Sequence, residues 1–160
     1  MSATRTAIIV SAAALLFAAC SGSGSMERRP ANPTSTLLSM LDQGIGQLDS
    51  NISNVKNRIS DLQRLPETDD QTLRDLRAMD LAGWTLHQQQ WALQRDHLIF
   101  AKQHIKNAQA SPEDRPRLLK EWTIHEQQYE STLDDLRKQR HDLERKRFQV
   151  EAQLIERHLK

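Results

Sequence analysis

Between Leu38 and Leu62 the apolar residues recur alternately three and four positions apart without a miss: Leu38, Leu41, Ile45, Leu48, Ile52, Val55, Ile59 and Leu62. A seam of this period lies along one side of an α-helix and leaves water only when a second helix covers it, so it fixes the fold class before any other feature is weighed. Ile45, Ile52 and Ile59 share one core position, and Leu fills most of the other. Asp, Gln, Ser, Asn, Lys and Arg occupy the outer face. Gly44 and Gly46 each weaken the opening turns by about 1 kcal/mol relative to Ala, so this helix needs a partner. Pro66 ends it, because a proline ring denies the helix a donor.

A second helix is expected from about residue 69 to residue 110, started by Thr68 or Asp69 as cap, with acidic side chains at the positive end of its dipole. It carries two apolar rows at sevenfold spacing, Trp84, Trp91, Leu98 and Ile105 in one and Met79, Leu86, Leu93 and Phe100 in the other. Residues two apart differ by about 200 degrees, so the rows lie on nearly opposite faces and the helix has neighbours on both sides. The plainer expectation is a central helix between two others. The sharper one leaves Trp84 and Trp91 as an exposed row that docks a partner.

Ser111-Pro112-Glu113-Asp114 then reads as a third helix start, with a Ser cap, Pro at the first position and acidic residues in the first turn. No further break precedes Lys160, and Pro116 distorts only the opening. Leu118, Trp122, Tyr129, Leu133, Leu136, Leu143, Val150 and Leu154 form the inward stripe, interrupted by Arg140 and Arg147 at seam positions. Phe148, Ile155 and Leu159 open a second row near the end, where self-association or a partner is expected. The tight connections make successive helices antiparallel neighbours. The expected body, residues 36–160 with helices at about 36–65, 69–110 and 112–160, is therefore all-α: an elongated antiparallel three-helix coiled coil whose third helix overhangs its first.

With only 5 Gly, 5 Pro and 4% aromatic residues in 160, no β domain and no thick globular core are expected. Formal charge is +1, and Arg5 is the only charged residue before Cys20, so the rest is neutral and offers no global nucleic-acid footprint. A single Cys excludes an internal disulfide.

Ahead of the helices, Met1 to Thr6 is short and carries Arg5, and Ala7 to Ala19 is apolar or small with only Ser11 interrupting. This run of about 13 residues is too short for the roughly 20 that span a bilayer, and it has the organisation of a cleaved signal peptide over residues 1–19. Ser21 to Pro33, SGSGSMERRPANP, lacks apolar periodicity and reads as a flexible tether within a linker at residues 20–35. About 15 such residues reach at most roughly 50 Å.

The junction Phe17-Ala18-Ala19-Cys20 resembles the lipobox of bacterial lipoproteins, with Phe17 in place of the usual Leu. The resemblance covers about the first 21 residues. It implies cleavage between Ala19 and Cys20 by signal peptidase II, a diacylglycerol on the Cys20 thiol and an N-acyl chain, palmitate being typical, on the new amine. Ser21 after the cysteine resembles the signal for export to the outer membrane, facing the periplasm. Two or three acyl chains give stable anchoring where one is marginal. An acylated Cys20, heptad helices and a terminal Lys160 are also architecturally similar to the murein lipoprotein, whose C-terminal Lys is joined to peptidoglycan. This body is longer and lacks that family's short trimer repeats.

Six His are present, and folding about a turn near Gln109 brings His97 close to His125. None of the tight His or Cys pairings common in zinc sites occurs, so no metal, no other cofactor and no enzymatic role are expected. The basic residues Arg137, Lys138, Arg140, Arg145, Lys146 and Arg147 alternate with Asp134, Asp135, Asp142, Glu144 and Glu151, as in intrahelical ion pairs on a solvated face. The expected role is a lipid-anchored envelope scaffold that binds a protein partner or itself, with Trp84, Trp91, Phe148, Ile155 and Leu159 as the candidate surface. The alternative is a pilot-like accessory to an export or outer-membrane complex.

Overall fold

The computed structural model describes residues 33–158. The signal and lipidation readings at residues 1–19 and Cys20, most of the tether, and Leu159 and Lys160 lie outside the described residues. The described chain is all-α: α1 spans Pro33–Arg64, α2 Gln71–Ala110 and α3 Arg115–His158, with a 3-10 turn at Pro112–Asp114 before α3. No strand occurs among the described residues.

Pro33, whose fixed φ suits a first helical position, opens α1 three residues before the expected start. At the other end α2 reaches back to close the connection. The guanidinium of Arg77 donates to the carbonyls of Gln63 and Pro66, both at 3.1 Å, and Arg74 donates to that of Thr68 at 3.0 Å. These bonds satisfy carbonyls that the end of a helix and its following loop leave without intrahelical partners.

The cap of α2 is Asp70 rather than Thr68 or Asp69. Its carboxylate accepts from the backbone N–H of Thr72 at 2.8 Å and of Leu73 at 3.2 Å, and these two bonds hold the Asp70 carboxyl below the ordinary carboxylate range. Thr68 assists one step earlier by accepting from Asp70 N–H. The start of α3 departs from expectation more. Ser111 makes no side-chain cap bond; its N–H donates to Asn107 to close α2, and its carbonyl accepts from Asp114 N–H. Pro116 explains the 3-10 turn: it cannot donate to the carbonyl of Pro112, so Arg115 N–H takes that acceptor and tightens the chain before the α-helix begins.

Consecutive helices run antiparallel, and the close packing is of α1 on α2 and of α2 on α3. Asp42 pairs with Lys102 and Asp49 pairs with Arg95 at 2.6 Å, so two ion pairs seven residues apart on each helix fix the α1–α2 register. Between α2 and α3 the register is carried by Arg147 on Asp80, Arg140 on Gln90 and Arg157 on Thr72. Arg140 and Arg147, the misfits of the α3 seam, thus reach across to polar groups of α2. The last turns of α3 extend beside the first turn of α2, past the level at which α1 ends.

Of the α1 seam, Leu41, Leu48 and Val55 are buried together with Leu37, while Ile45, Ile52, Ile59 and Leu62 are half-buried. A cluster of Leu37, Leu41, Ala101 and Ile105 is joined by Leu38, Leu98 and Trp122, so all three helices contribute at this end. In α2 and α3 every buried hydrophobic among the described residues lies in the half of its helix that adjoins the connecting turn: Ala101, Ile105 and Ala108, and Leu118, Tyr129 and Leu133. The core is therefore densest toward the α2–α3 turn and continues along α1 as far as Val55, with partly covered apolar side chains and polar cross-links beyond. No helix among the described residues is long and apolar enough to cross a membrane.

Candidate functional site

Helix α2 places His97, Phe100 and His104 three, four and seven positions apart, which is one face. Helix α3 presents Trp122, His125 and Tyr129 toward it, with Glu121 and Glu126 beside them. The rings interleave in a continuous stack. Tyr129 lies 4.1 Å from His97 between ring centres, His97 lies 5.3 Å from His125 with the planes 5° apart, His125 lies 3.7 Å from Phe100, and Phe100 lies 3.9 Å from His104. Trp122 flanks His97 and Phe100 at 5.5 and 6.0 Å. The hairpin thus brings His97 to His125, as folding about the α2–α3 turn requires.

His97 is 2% exposed and His104 8%, an unusual depth for imidazoles. Neither nitrogen of either ring makes a hydrogen bond within the protein, and the same holds for Nε2 of His125 and Oε2 of Glu126. The nearest carboxylates approach without closing: Glu126 Oε2 is 3.6 Å from His97 Nε2, and Glu121 Oε2 is 3.5 Å from His104 Nε2. Both separations exceed an ordinary N–H···O bond. Burial dominates the electrostatics. It pushes His97 down to about 4, with the charge of a protonated His125 adding to the effect, and it lowers His125, with His104 adding. Burial raises Glu126, reinforced by Glu130, and raises Tyr129, reinforced by Glu126. Each shift favours the neutral form of its group.

Among the described residues no three of His, Cys, Asp or Glu converge in a geometry that could hold a metal ion. The stack joins α2 to α3 through ring packing, with no hydrogen bond to the nitrogens of His97 or His104. His97 and His125 were accessible to sequence reasoning; Phe100, His104, Glu121, Glu126 and Tyr129 were not joined to them. The available signal was His97 and His104 one heptad apart, mirrored by His125 across the turn.

The candidate partner residues fall into two settings. Trp84 and Trp91 are half-buried, each 5.8 Å from the ring of His87 between them, in the row whose Leu98 meets Gly44 of α1. The opposite row contributes Phe100 to the α3 stack, so the two rows of α2 serve two neighbours. Phe148 is 73% exposed and Ile155 59%, seven residues apart on one face of α3, while Leu143 on another face packs at Gly83 of α2. The basic stretch of α3 is laced by intrahelical pairs: Arg137 with Asp134, Lys138 with Asp135, Arg140 with Glu144 and Arg147 with Glu151.

Comparison with known protein families, with curated proteins and with solved structures finds no match to this chain.

Proposed function

We propose that the protein is a lipoprotein of the bacterial cell envelope, anchored through Cys20, whose elongated antiparallel three-helix coiled coil engages a protein partner through the exposed Phe148 and Ile155 row. One observation carries the partner-binding role: two large apolar side chains stand in water on one face of a helix whose other apolar row is taken by α2. A solvated helix exposes such a pair at a cost that a docked helix or groove removes. The anchor rests on Cys20, placed between a leader too short to span a bilayer and a tether rich in Ser and Gly. The coiled coil is supported by the heptad-spaced ladder of Asp42 with Lys102 and Asp49 with Arg95.

A photoreactive side chain at position 148, in the full chain expressed in its native envelope, tests the reading. A discrete cross-linked species is expected, either a partner adduct or a dimer, and Ile155→Glu reduces its yield several-fold. No adduct from position 148, with the protein present at normal abundance, contradicts partner binding through this row.

A further inference from the structure

We propose that His97 and His125, stacked with Phe100 and His104, form an acid-sensitive latch, whose protonation parts α2 from α3 along residues 97–104 and 121–129 and uncovers their aromatic face. The inference concerns the α2–α3 seam and stands independently of the lipid anchor and of the Phe148 row.

Three imidazoles in one stack are the means by which the best-packed part of α2 holds α3. His97 and His104 are buried with neither ring nitrogen hydrogen-bonded. A neutral imidazole tolerates such a position through its apolar ring faces. An imidazolium does not, because its charge is stripped of water and both N–H groups need acceptors. His97 and His125 are 5.3 Å apart, so a second proton adds repulsion between like charges in a poorly screened interior.

The surrounding groups do not neutralise this charge. From α3, Glu126 faces His97, and Glu121, which already pairs with Arg117 at 2.7 Å, faces His104 at the separations given above, leaving two carboxylates against three imidazoles. Burial and Glu130 already disfavour the charged form of Glu126, which weakens it as a counterion in acid, and Tyr129 supplies no charge there. Arg137, farther along α3, pairs with Asp134. On α2 itself Arg95 and Lys102 are engaged with Asp49 and Asp42 of α1 across the helix, and Arg95 also meets Asp96. Asp42 and Asp49, the α1 acids level with this stretch of α2, are thus committed elsewhere.

The direction follows from linkage. His97 binds its proton near 4 in the folded chain against an ordinary 6.5, so between those values the unfolded or opened seam takes up more protons and closure weakens as pH falls. His125 acts in the same sense. Glu126, raised by burial, acts in the opposite sense and offsets part of the effect.

Two measurements on the full chain decide the matter. Titration of the imidazole resonances by NMR is expected to show one histidine with a midpoint well below 6. Amide hydrogen exchange, corrected for its intrinsic pH dependence, is expected to rise by at least about tenfold at residues 97–104 and 121–129 between pH 7.5 and pH 5. His97→Phe keeps a ring in the stack and removes one of the proton sites, and it should reduce that rise several-fold. Six histidines all titrating near 6.5 overturn the proposal, as does a His97→Phe chain with the full pH response. If that variant fails to fold, the titration of the unaltered chain decides alone.

Discussion

Gly44 and Gly46 look equivalent in the sequence, yet their surroundings separate them. A Cβ on Gly44 would stand 3.1 Å from Leu98 Cδ1, whereas one on Gly46 would meet nothing within 4 Å. Gly46→Ala should therefore stabilise the fold by about 0.5–1 kcal/mol, since it restricts the unfolded chain and adds helix propensity without a clash. Gly44→Ala receives the same benefit but forces Leu98 to shift by a few tenths of an ångström within the best-packed end of the molecule. Its net effect should fall at least about 0.5 kcal/mol below that of Gly46→Ala. Urea unfolding of both variants checks the pair, and equal gains would remove the assigned role of Gly44 as the seat of Leu98.

At the scale of helices, the periodicity of α1, the opposed rows of α2 and the breaks at Pro66 and Ser111-Pro112 were legible because heptad spacing and proline act locally. Burial was less legible. The seam marks Ile45, Ile52 and Ile59 as equals of Leu41, Leu48 and Val55, but α1 packs mainly on one neighbour, and that contact buries one row more fully than the other. The caps shifted by one or two residues because Asp70, rather than Asp69, presents its carboxylate to two free N–H groups. Arg140 and Arg147 read as flaws in a core, since spacing alone cannot tell that Gln90 and Asp80 stand opposite. The Arg147–Asp80 pair, with side chains 47% and 34% exposed, should contribute modestly. A double-mutant cycle with Arg147→Ala and Asp80→Ala is expected to give a coupling between about 0.2 and 1 kcal/mol that shrinks with added salt. A coupling of zero at low salt would mean that half-buried apolar contacts alone hold this end of the α2–α3 pair.

Across the whole molecule, packing is graded along its length. One end combines the Leu37, Leu41, Ala101 and Ile105 cluster with the histidine stack, and the other relies on half-buried rows and arginine cross-links before ending near the bare Phe148 and Ile155 row. That gradient is compatible with the proposed role, in which the N-terminal end of α1 leads to the anchor and the exposed Phe148 and Ile155 row engages the partner. The stack itself was only partly legible, because a sequence reveals that His97 and His125 meet but not that Phe100 fills the gap between His125 and His104. The proposed role depends above all on Cys20 being where the chain meets a membrane. Intact-mass spectrometry of the protein purified from the membranes of cells that express it naturally tests this most directly. The expected product begins at Cys20 and carries the mass of a diacylglycerol with or without one further acyl chain; a product that retains Met1 to Ala19, or that bears an unmodified Cys20 thiol, would contradict it.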